Sequence, residues 1–190
     1  MARRYGSAIF AAMLVGLVLT AYRAAPDNGF HFDDYANIVD QDSLHVGKPG
    51  VRAFVDASLS GSHPQRFVAN LTLAADWWRG EGSPRPFQWT NLFIHVIGAL
   101  LVFALLKTAL GTGRDGRAPV IAAAAFFAAA WFAVNPCLSE AHVWISGRSD
   151  LFCTIWGISS VLLWIRAKRV DGWRRILLYV ASAVSFLLGL

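Results

Sequence analysis

Long apolar runs alternate along this chain with short polar or basic segments. The apolar runs cover residues 7–25, 87–110, 118–134, 151–165 and 176–190. A helix that crosses the roughly 30 Å hydrocarbon core of a bilayer needs about 20 mostly apolar residues. The pattern therefore predicts an all-α, polytopic membrane protein with about five transmembrane helices, forming a single membrane module over residues 1–190.

The basic residues indicate how these helices are oriented. Arg3 and Arg4 precede the first run, and the loops 111–117 and 166–169 are rich in arginine and lysine. Because such residues accumulate on the cytoplasmic side, the N-terminus and both loops are predicted to lie inside. Residues 26–86 then form a long outer loop.

The first run has a second interpretation, a cleaved signal peptide. A basic start, an apolar middle and small residues near Ala24 and Ala25 fit such a peptide. Arg23 is unusual in a cleavage region, and further runs follow, so an uncleaved helix is favoured.

Composition supports a membrane protein and excludes other classes. The chain is 56% hydrophobic and only 15% charged, an apolar share above that of soluble domains. The net charge of +5 does not indicate nucleic-acid binding, because the bases flank apolar runs and form no basic stripe. Cys137 and Cys153 are too few for a disulfide framework. A single bridge between them is one alternative, and buried apolar thiols are the favoured one.

The outer loop 26–86 contains two amphipathic stretches. The first has apolar residues at helical spacing after Pro49, and the second follows a break at residues 61–64; their apolar positions are Val51, Phe54, Val55 and Leu59, then Phe67, Leu71, Ala74 and Trp78. Two core helices of a small soluble domain would show the same pattern, but about 60 residues with so little apolar content make a poor core. Helices lying in the membrane interface are therefore predicted.

Polar residues from distant parts of the chain converge on the predicted outer face: Asp33, Asp34, Asn91, His95, Asn135, Glu140, His142, Arg148 and Asp150. Charges this close to hydrocarbon are costly and tend to be functional. His95 has a structural alternative, a helix-packing histidine bonded to a carbonyl. Four other acids are expected to be solvated loop residues: Asp42, Asp56, Asp76 and Glu81.

Two of these features carry candidate chemistry. Asp33 and Asp34 are adjacent and surrounded by aromatics, and a carboxylate can act as a general base. Arg148 can hold a phosphate through two parallel hydrogen bonds. The alternative for the Asp pair is the solvated start of a loop. A base and a phosphate ligand beside an apolar bundle indicate a substrate that is half lipid and half polar.

Three segments resemble membrane glycosyltransferases of the C superfamily. They are Phe30-x-Phe32-Asp33-Asp34-Tyr35-x-Asn37, Asn91-Leu92-x-x-His95, and residues 135–151 with Glu140, Arg148 and Asp150. The most similar members combine a multi-span membrane half with tetratricopeptide repeats, and some are protein O-mannosyltransferases. Those proteins more often have His-Pro where this chain has Asn135-Pro136.

The resemblance implies an activity and a site. The donor would be a polyprenyl- or dolichyl-phosphate sugar, used on the periplasmic, extracellular or luminal face of a plasma (inner) or endoplasmic reticulum membrane. Asp33 or Asp34 would be the catalytic base in an inverting transfer to a hydroxyl of a protein or glycan acceptor. Substrate contacts are expected from Arg148, His95, Glu140, His142, Asp150 and Asn91. Membrane lipids are the other expected partners.

Neither a cofactor nor a metal site is predicted. A divalent metal is compatible with the carboxylates, but no ligand spacing indicates one. Members of the resembled group have roughly twice as many spans, so this chain is interpreted as the N-terminal part of a longer enzyme.

Two non-catalytic interpretations stay open. A transporter or lipid-handling protein is disfavoured because transporter sites lie near the membrane midplane, where these runs carry almost no charge. An assembly fragment is the other alternative.

Overall fold

The structure, a computed structural model, describes residues 2–61, 63–111, 117–138 and 143–189. Every regular element in these ranges is helical, as predicted. The long helices are Ala2–Ala21 (α1), Val51–Ser60 (α2), Phe67–Gly80 (α3), Arg85–Leu110 (α4), Ala118–Val134 (α5), Arg148–Ala167 (α6) and Trp173–Leu188 (α7).

Length and hydropathy identify the helices that can cross a membrane. In the described residues, three helical stretches qualify: Gly6–Asp27, Arg85–Leu110 and Ile145–Ala167. The prediction of a helical membrane protein is confirmed. Helices α5 and α7 have 17 and 16 residues and extend only about 25 Å, so five spans and their topology stay predictions.

The chain divides into two compact units. The first, here called the apolar unit, comprises Met1–Ala21, His95–Leu138 and Cys153–Leu190. The second, the polar unit, comprises Tyr22–Ile94 and Ser139–Phe152. Helices α4 and α6 contribute residues to both.

Close helix packing organises the apolar unit. The rings of Phe10 on α1 and Phe126 on α5 stack with centroids 5.1 Å apart. Small side chains on α5 are buried at Ala122, Ala125, Ala129 and Ala133. Alanines allow helix backbones to approach closely, and α1 and α5 are in extensive contact. Cys137 and Cys153 are exposed free thiols, so the expectation that they are buried is wrong.

Helices α6 and α7 are joined by a reciprocal pair of serine hydrogen bonds. The hydroxyl of Ser160 donates to the carbonyl of Ser182 at 2.9 Å, and the hydroxyl of Ser182 donates to the carbonyl of Ser160 at 2.8 Å. Such bonds between helices stabilise packing where hydrophobic attraction is weak.

The polar unit has its own hydrophobic core. Helices α2 and α3 pack against each other, and the core residues are Ile38, Leu44, Val46, Ala57, Leu73, Ala74, Phe87 and Ile145. Six of these residues belong to the outer loop 26–86, and Phe87 and Ile145 complete the core from outside it. A position of α2 and α3 in the membrane interface stays a prediction; Val51, Leu59 and Trp78 on them are exposed.

Candidate functional site

A change of backbone direction precedes the acidic pair. Phe32 has φ of +45°, a left-handed conformation that is uncommon for a bulky residue. A short π-helical segment, Tyr35–Val39, follows the pair. Both features are rare and occur disproportionately at functional sites.

Asp34 is buried and fully engaged by backbone groups. The amide of Ser146 donates to its Oδ1 at 2.7 Å, and the amide of His31 donates to its Oδ2 at 3.0 Å. The first bond joins positions 112 residues apart in sequence. Asp34 therefore ties the segment after the first apolar helix to the short helical turn Ile145–Gly147.

Asp33 has the opposite environment. Its side chain is exposed, as is that of Phe32, whose ring lies 5.6 Å from the ring of Trp144. The two adjacent carboxylates therefore differ. Asp34 joins two segments of the polar unit through its hydrogen bonds, and Asp33 is accessible to a reactant. An accessible carboxylate that is held in place can accept a proton from a hydroxyl.

Arg148 is completely buried at the start of α6. Its Nε donates to Oδ1 of Asn91 at 2.7 Å, one terminal nitrogen donates to the hydroxyl of Thr72 at 3.1 Å, and the other donates to the carbonyl of Phe87 at 3.0 Å. This last nitrogen also lies 2.7 Å from Oδ2 of Asp76, in an ion pair. The guanidinium therefore links α3, α4 and α6.

Asp76 is buried with Arg148, so the expectation that it is a solvated loop acid is wrong. Its Oδ1 accepts hydrogen bonds from Thr90 at 2.9 Å and from the half-exposed Arg79 at 3.2 Å. A buried carboxylate is tolerated when it is paired and hydrogen-bonded. Asp76 can therefore be buried, and not solvated as expected, because Arg148, Thr90 and Arg79 pair with its carboxylate.

Sequence reasoning missed Asp76 and its partners Thr72 and Thr90 because it followed one apolar stripe on α3. The side of α3 that packs inside the unit carries Ala69, Asn70, Leu73, Ala74 and Asp76. Asp76 follows Ala69 by seven residues, or about two helical turns. That spacing is the signal that could have placed it on the buried side.

Asn91 completes this network. Besides accepting from Arg148, its Nδ2 donates to the carbonyl of Trp144 at 3.3 Å. The polar unit therefore brings together three of the predicted site residues, Asp34, Asn91 and Arg148, around residues 144–148. Asp33 is exposed on the same unit.

The other predicted residues are placed differently. His95 belongs to the apolar unit, where its Nε2–H donates to the carbonyl of Ala133 at 2.8 Å, the structural alternative named for it above. Asp150 is exposed in the first turn of α6. Glu140 and His142 lie outside the described residues. Within the part of the chain that the structure describes, no group of three or more His, Cys, Asp or Glu side chains could hold a metal ion.

Fold and site together define a class: a helical membrane protein whose polar unit combines an exposed acidic residue, Asp33, with a buried ion-pair network. No protein-family model and no solved structure matches the chain. The chain is similar to proteins named protein O-mannosyl-transferases, as the sequence motifs predicted.

Three relatives illustrate the similarity. The chain is 28% identical over 166 residues to "Protein O-mannosyl-transferase TMTC3" of Homo sapiens, covering 84% of this chain and 17% of the relative. It is 28% identical over 180 residues to "Protein O-mannosyl-transferase F38B6.6" of Caenorhabditis elegans, covering 91% and 25%. It is 27% identical over 176 residues to "Protein O-mannosyl-transferase TMTC4" of Mus musculus, covering 86% and 24%. The chain thus spans a quarter or less of these relatives' lengths.

Proposed function

We propose that this chain is the catalytic module of a membrane glycosyltransferase. It transfers a sugar from a polyprenyl- or dolichyl-phosphate donor to a hydroxyl of a protein or glycan acceptor. The reaction takes place on the outer or luminal face of a plasma (inner) or endoplasmic reticulum membrane. The relatives' names support a sugar transfer to protein, and the donor and the face are what the resemblance of the sequence motifs implies.

The contrast between Asp33 and Asp34 carries this proposal. Asp34 accepts two backbone hydrogen bonds and so fixes its neighbour relative to residues 144–148. Asp33 is left exposed and can reach a substrate hydroxyl. An accessible carboxylate next to an anchored residue is what a single-displacement glycosyl transfer requires of its base.

The reaction is written as one displacement with inversion at the anomeric carbon. A carboxylate oxygen of Asp33 takes the proton of the acceptor hydroxyl as the hydroxyl oxygen forms a bond to the anomeric carbon. The bond between that carbon and the phosphate oxygen breaks, and the lipid phosphate leaves with the electron pair. Asp33 ends the step protonated.

Arg148 and Asn91 act as positioning residues in this scheme. The cation of Arg148 is already paired with Asp76, and three of its donor contacts are made within the unit. Arg148 donates to Asn91, and Asn91 donates to the carbonyl of Trp144. The turn that follows Trp144 contains Ser146, whose amide donates to Asp34. Asp150 stays a candidate contact of the sugar because it is exposed at the same end of α6.

The test is sugar transfer from a lipid-phosphate donor in membranes that contain wild-type protein or Asp33→Asn. Loss of a general base costs about 10²–10⁴-fold, so Asp33→Asn is expected to lose at least about a hundredfold in rate. Asp40→Asn is the matched control, since Asp40 is an exposed acid of the same segment. Wild-type rates with Asp33→Asn would refute Asp33 as the base.

The neighbouring substitution separates positioning from chemistry. Asp34→Asn replaces a buried carboxylate that accepts two amide hydrogen bonds, and hydrogen bonds to charged groups contribute about 1.5–3 kcal/mol. We expect a lower melting temperature for Asp34→Asn in detergent and an unchanged one for Asp33→Asn. If the two variants lost equal stability, the division of roles would be wrong.

A further inference from the structure

A small polar cleft opens beside the residue that anchors Asp34. Its polar lining is Asn37 from the π-helical segment, His63 and Arg66 before α3, Asn70 on α3, Ser146 just before α6 and Ser149 in its first turn; Ala69 and Leu73 of α3 are its apolar lining. All of these belong to the polar unit. The enclosed space is about 20 Å³, enough for one water-sized group and too small for a sugar ring.

The lining of the cleft has the chemistry of an anion site. It contains one permanent cation, two hydroxyls, an imidazole and the amide of Asn37, and no carboxylate. The amide of Asn70 already donates to the carbonyls of Ser58 and His63. Ser149 lies in the first turn of the 20-residue helix α6, where the helix dipole adds positive potential. The carboxylate behind Ser146 belongs to Asp34, and both of its oxygens already accept backbone hydrogen bonds.

Arg66, like Arg23, differs from the other arginines of the polar unit. Arg52, Arg79, Arg85 and Arg148 lie within ion-pair distance of Asp56, Asp76, Asp27 and Asp76, respectively. The described part of the chain provides no ion pair for Arg66, and its side chain is exposed. An unpaired guanidinium beside hydroxyl groups is suited to phosphate oxygens.

We propose that this cleft, through Arg66, Ser146 and Ser149, binds the phosphate group of the lipid-linked donor. One phosphate oxygen enters the cleft, and the sugar and the lipid stay outside. This inference rests on the proposed glycosyltransferase function and assigns the phosphate contact to Arg66 in place of the buried Arg148. Ser146 connects the acidic pair with the cleft, because its backbone amide donates to Asp34 and Ser146 also lines the cleft.

The test is binding of a fluorescent polyprenyl phosphate to the purified full chain in nanodiscs. Arg66→Ala is expected to weaken binding at least tenfold, Arg66→Lys less, and Ser149→Ala severalfold. Arg52→Ala is the matched control, an exposed arginine of the same unit outside the cleft, and should bind like wild type. Since Arg66 is exposed, Arg66→Ala should also melt like wild type.

Competitors distinguish the sources of the phosphate. Unlabelled polyprenyl phosphate should compete fully, inorganic phosphate only at high concentration, and polyprenol, which lacks the phosphate, much more weakly than polyprenyl phosphate. Competition by polyprenol as strong as by polyprenyl phosphate would overturn the inference. Equal competition by vesicles of phosphatidylglycerol would overturn it too, since the protein would then recognise any anionic lipid.

Two results separate this inference from the proposed function. Asp33→Asn should bind polyprenyl phosphate like wild type while losing sugar transfer. If Arg66→Ala bound weakly while Asp33→Asn kept full transfer, the cleft would still be the phosphate site, but Asp33 would not be the catalytic base. Equal binding by Arg66→Ala and Arg52→Ala would refute the cleft, whatever the transfer assay shows.

Discussion

The polar and apolar units distribute their side chains in opposite ways. The polar unit buries charged groups, with Asp34, Asp76 and Arg148 all at most 1% exposed. The apolar unit turns large apolar side chains outward: Phe127 and Trp131 on α5 are 70% and 73% exposed. In a water-soluble protein each arrangement would be unusual.

The reason differs between the two units. A buried charge is tolerated when it is paired or fully hydrogen-bonded. Asp76 and Arg148 form an ion pair, and Asp34 accepts two backbone hydrogen bonds. Outward apolar side chains are favourable when hydrocarbon surrounds them, and polar residues then serve to join helices. The Ser160–Ser182 pair serves this purpose in the apolar unit. The outward apolar side chains indicate that lipid surrounds the apolar unit.

The buried ion pair should give the largest effect on stability. Arg148→Ala leaves Asp76 buried without its main counter-charge, and breaking such a pair costs about 3–5 kcal/mol. Arg79→Ala removes a half-exposed partner of the same carboxylate and should cost about 1 kcal/mol or less. Melting temperatures in detergent would measure the difference.

A contrary outcome would be informative about the polar unit. If Arg148→Ala and Arg79→Ala melted at the same temperature, water would already reach Asp76, and the unit would not bury its charges.

A lysine introduced on the exposed surface of α5, and another on that of α2, tests whether lipid surrounds the apolar unit. Phe127 lies near the middle of α5, so Phe127→Lys should oppose membrane insertion by about 2.5–3.5 kcal/mol. Val51 at the start of α2 is 85% exposed, and Val51→Lys should change stability by no more than about 0.5 kcal/mol. The measurement is the fraction of each variant that resists carbonate extraction from membranes. Equal extraction would mean that α5 is not surrounded by lipid.

Local patterns in the sequence predicted much of the architecture. Apolar runs located the long helices of the apolar unit, and helical spacing located α2 and α3. These features depend on residues that are close in sequence, so the periodicity of apolar residues predicts them.

The ion-pair network could not be predicted in this way. Arg148 meets Asp76 and Asn91 across 72 and 57 residues, and no periodic signal specifies such pairings. Burial of Asp76 depends on partners from three helices, and the core of the polar unit depends on Phe87 and Ile145. The difference between Asp33 and Asp34 likewise arises from one long-range bond, to the amide of Ser146.

Backbone strain at Phe32 offers the smallest and most local test. In the described residues, Phe32 and Glu81 are the two non-glycine positions with positive φ, and both belong to the polar unit. A left-handed conformation costs a residue with a Cβ roughly 1–2 kcal/mol. Phe32→Ala and Phe32→Gly both remove the ring contact with Trp144, but only the glycine relieves the strain.

Phe32→Gly should therefore be about 1 kcal/mol more stable than Phe32→Ala, after allowing for the greater flexibility of glycine in the unfolded chain. The control is Ala36→Gly, which lies in the helical segment Tyr35–Val39 and should be destabilised by about 0.5–1 kcal/mol. Melting temperatures would rank these variants. If the strain also holds Asp33 outward, Phe32→Gly should lose transfer activity although it is more stable than Phe32→Ala. Equal melting of the two Phe32 variants would show that the left-handed turn stores no strain and that Asp34 alone positions its neighbour.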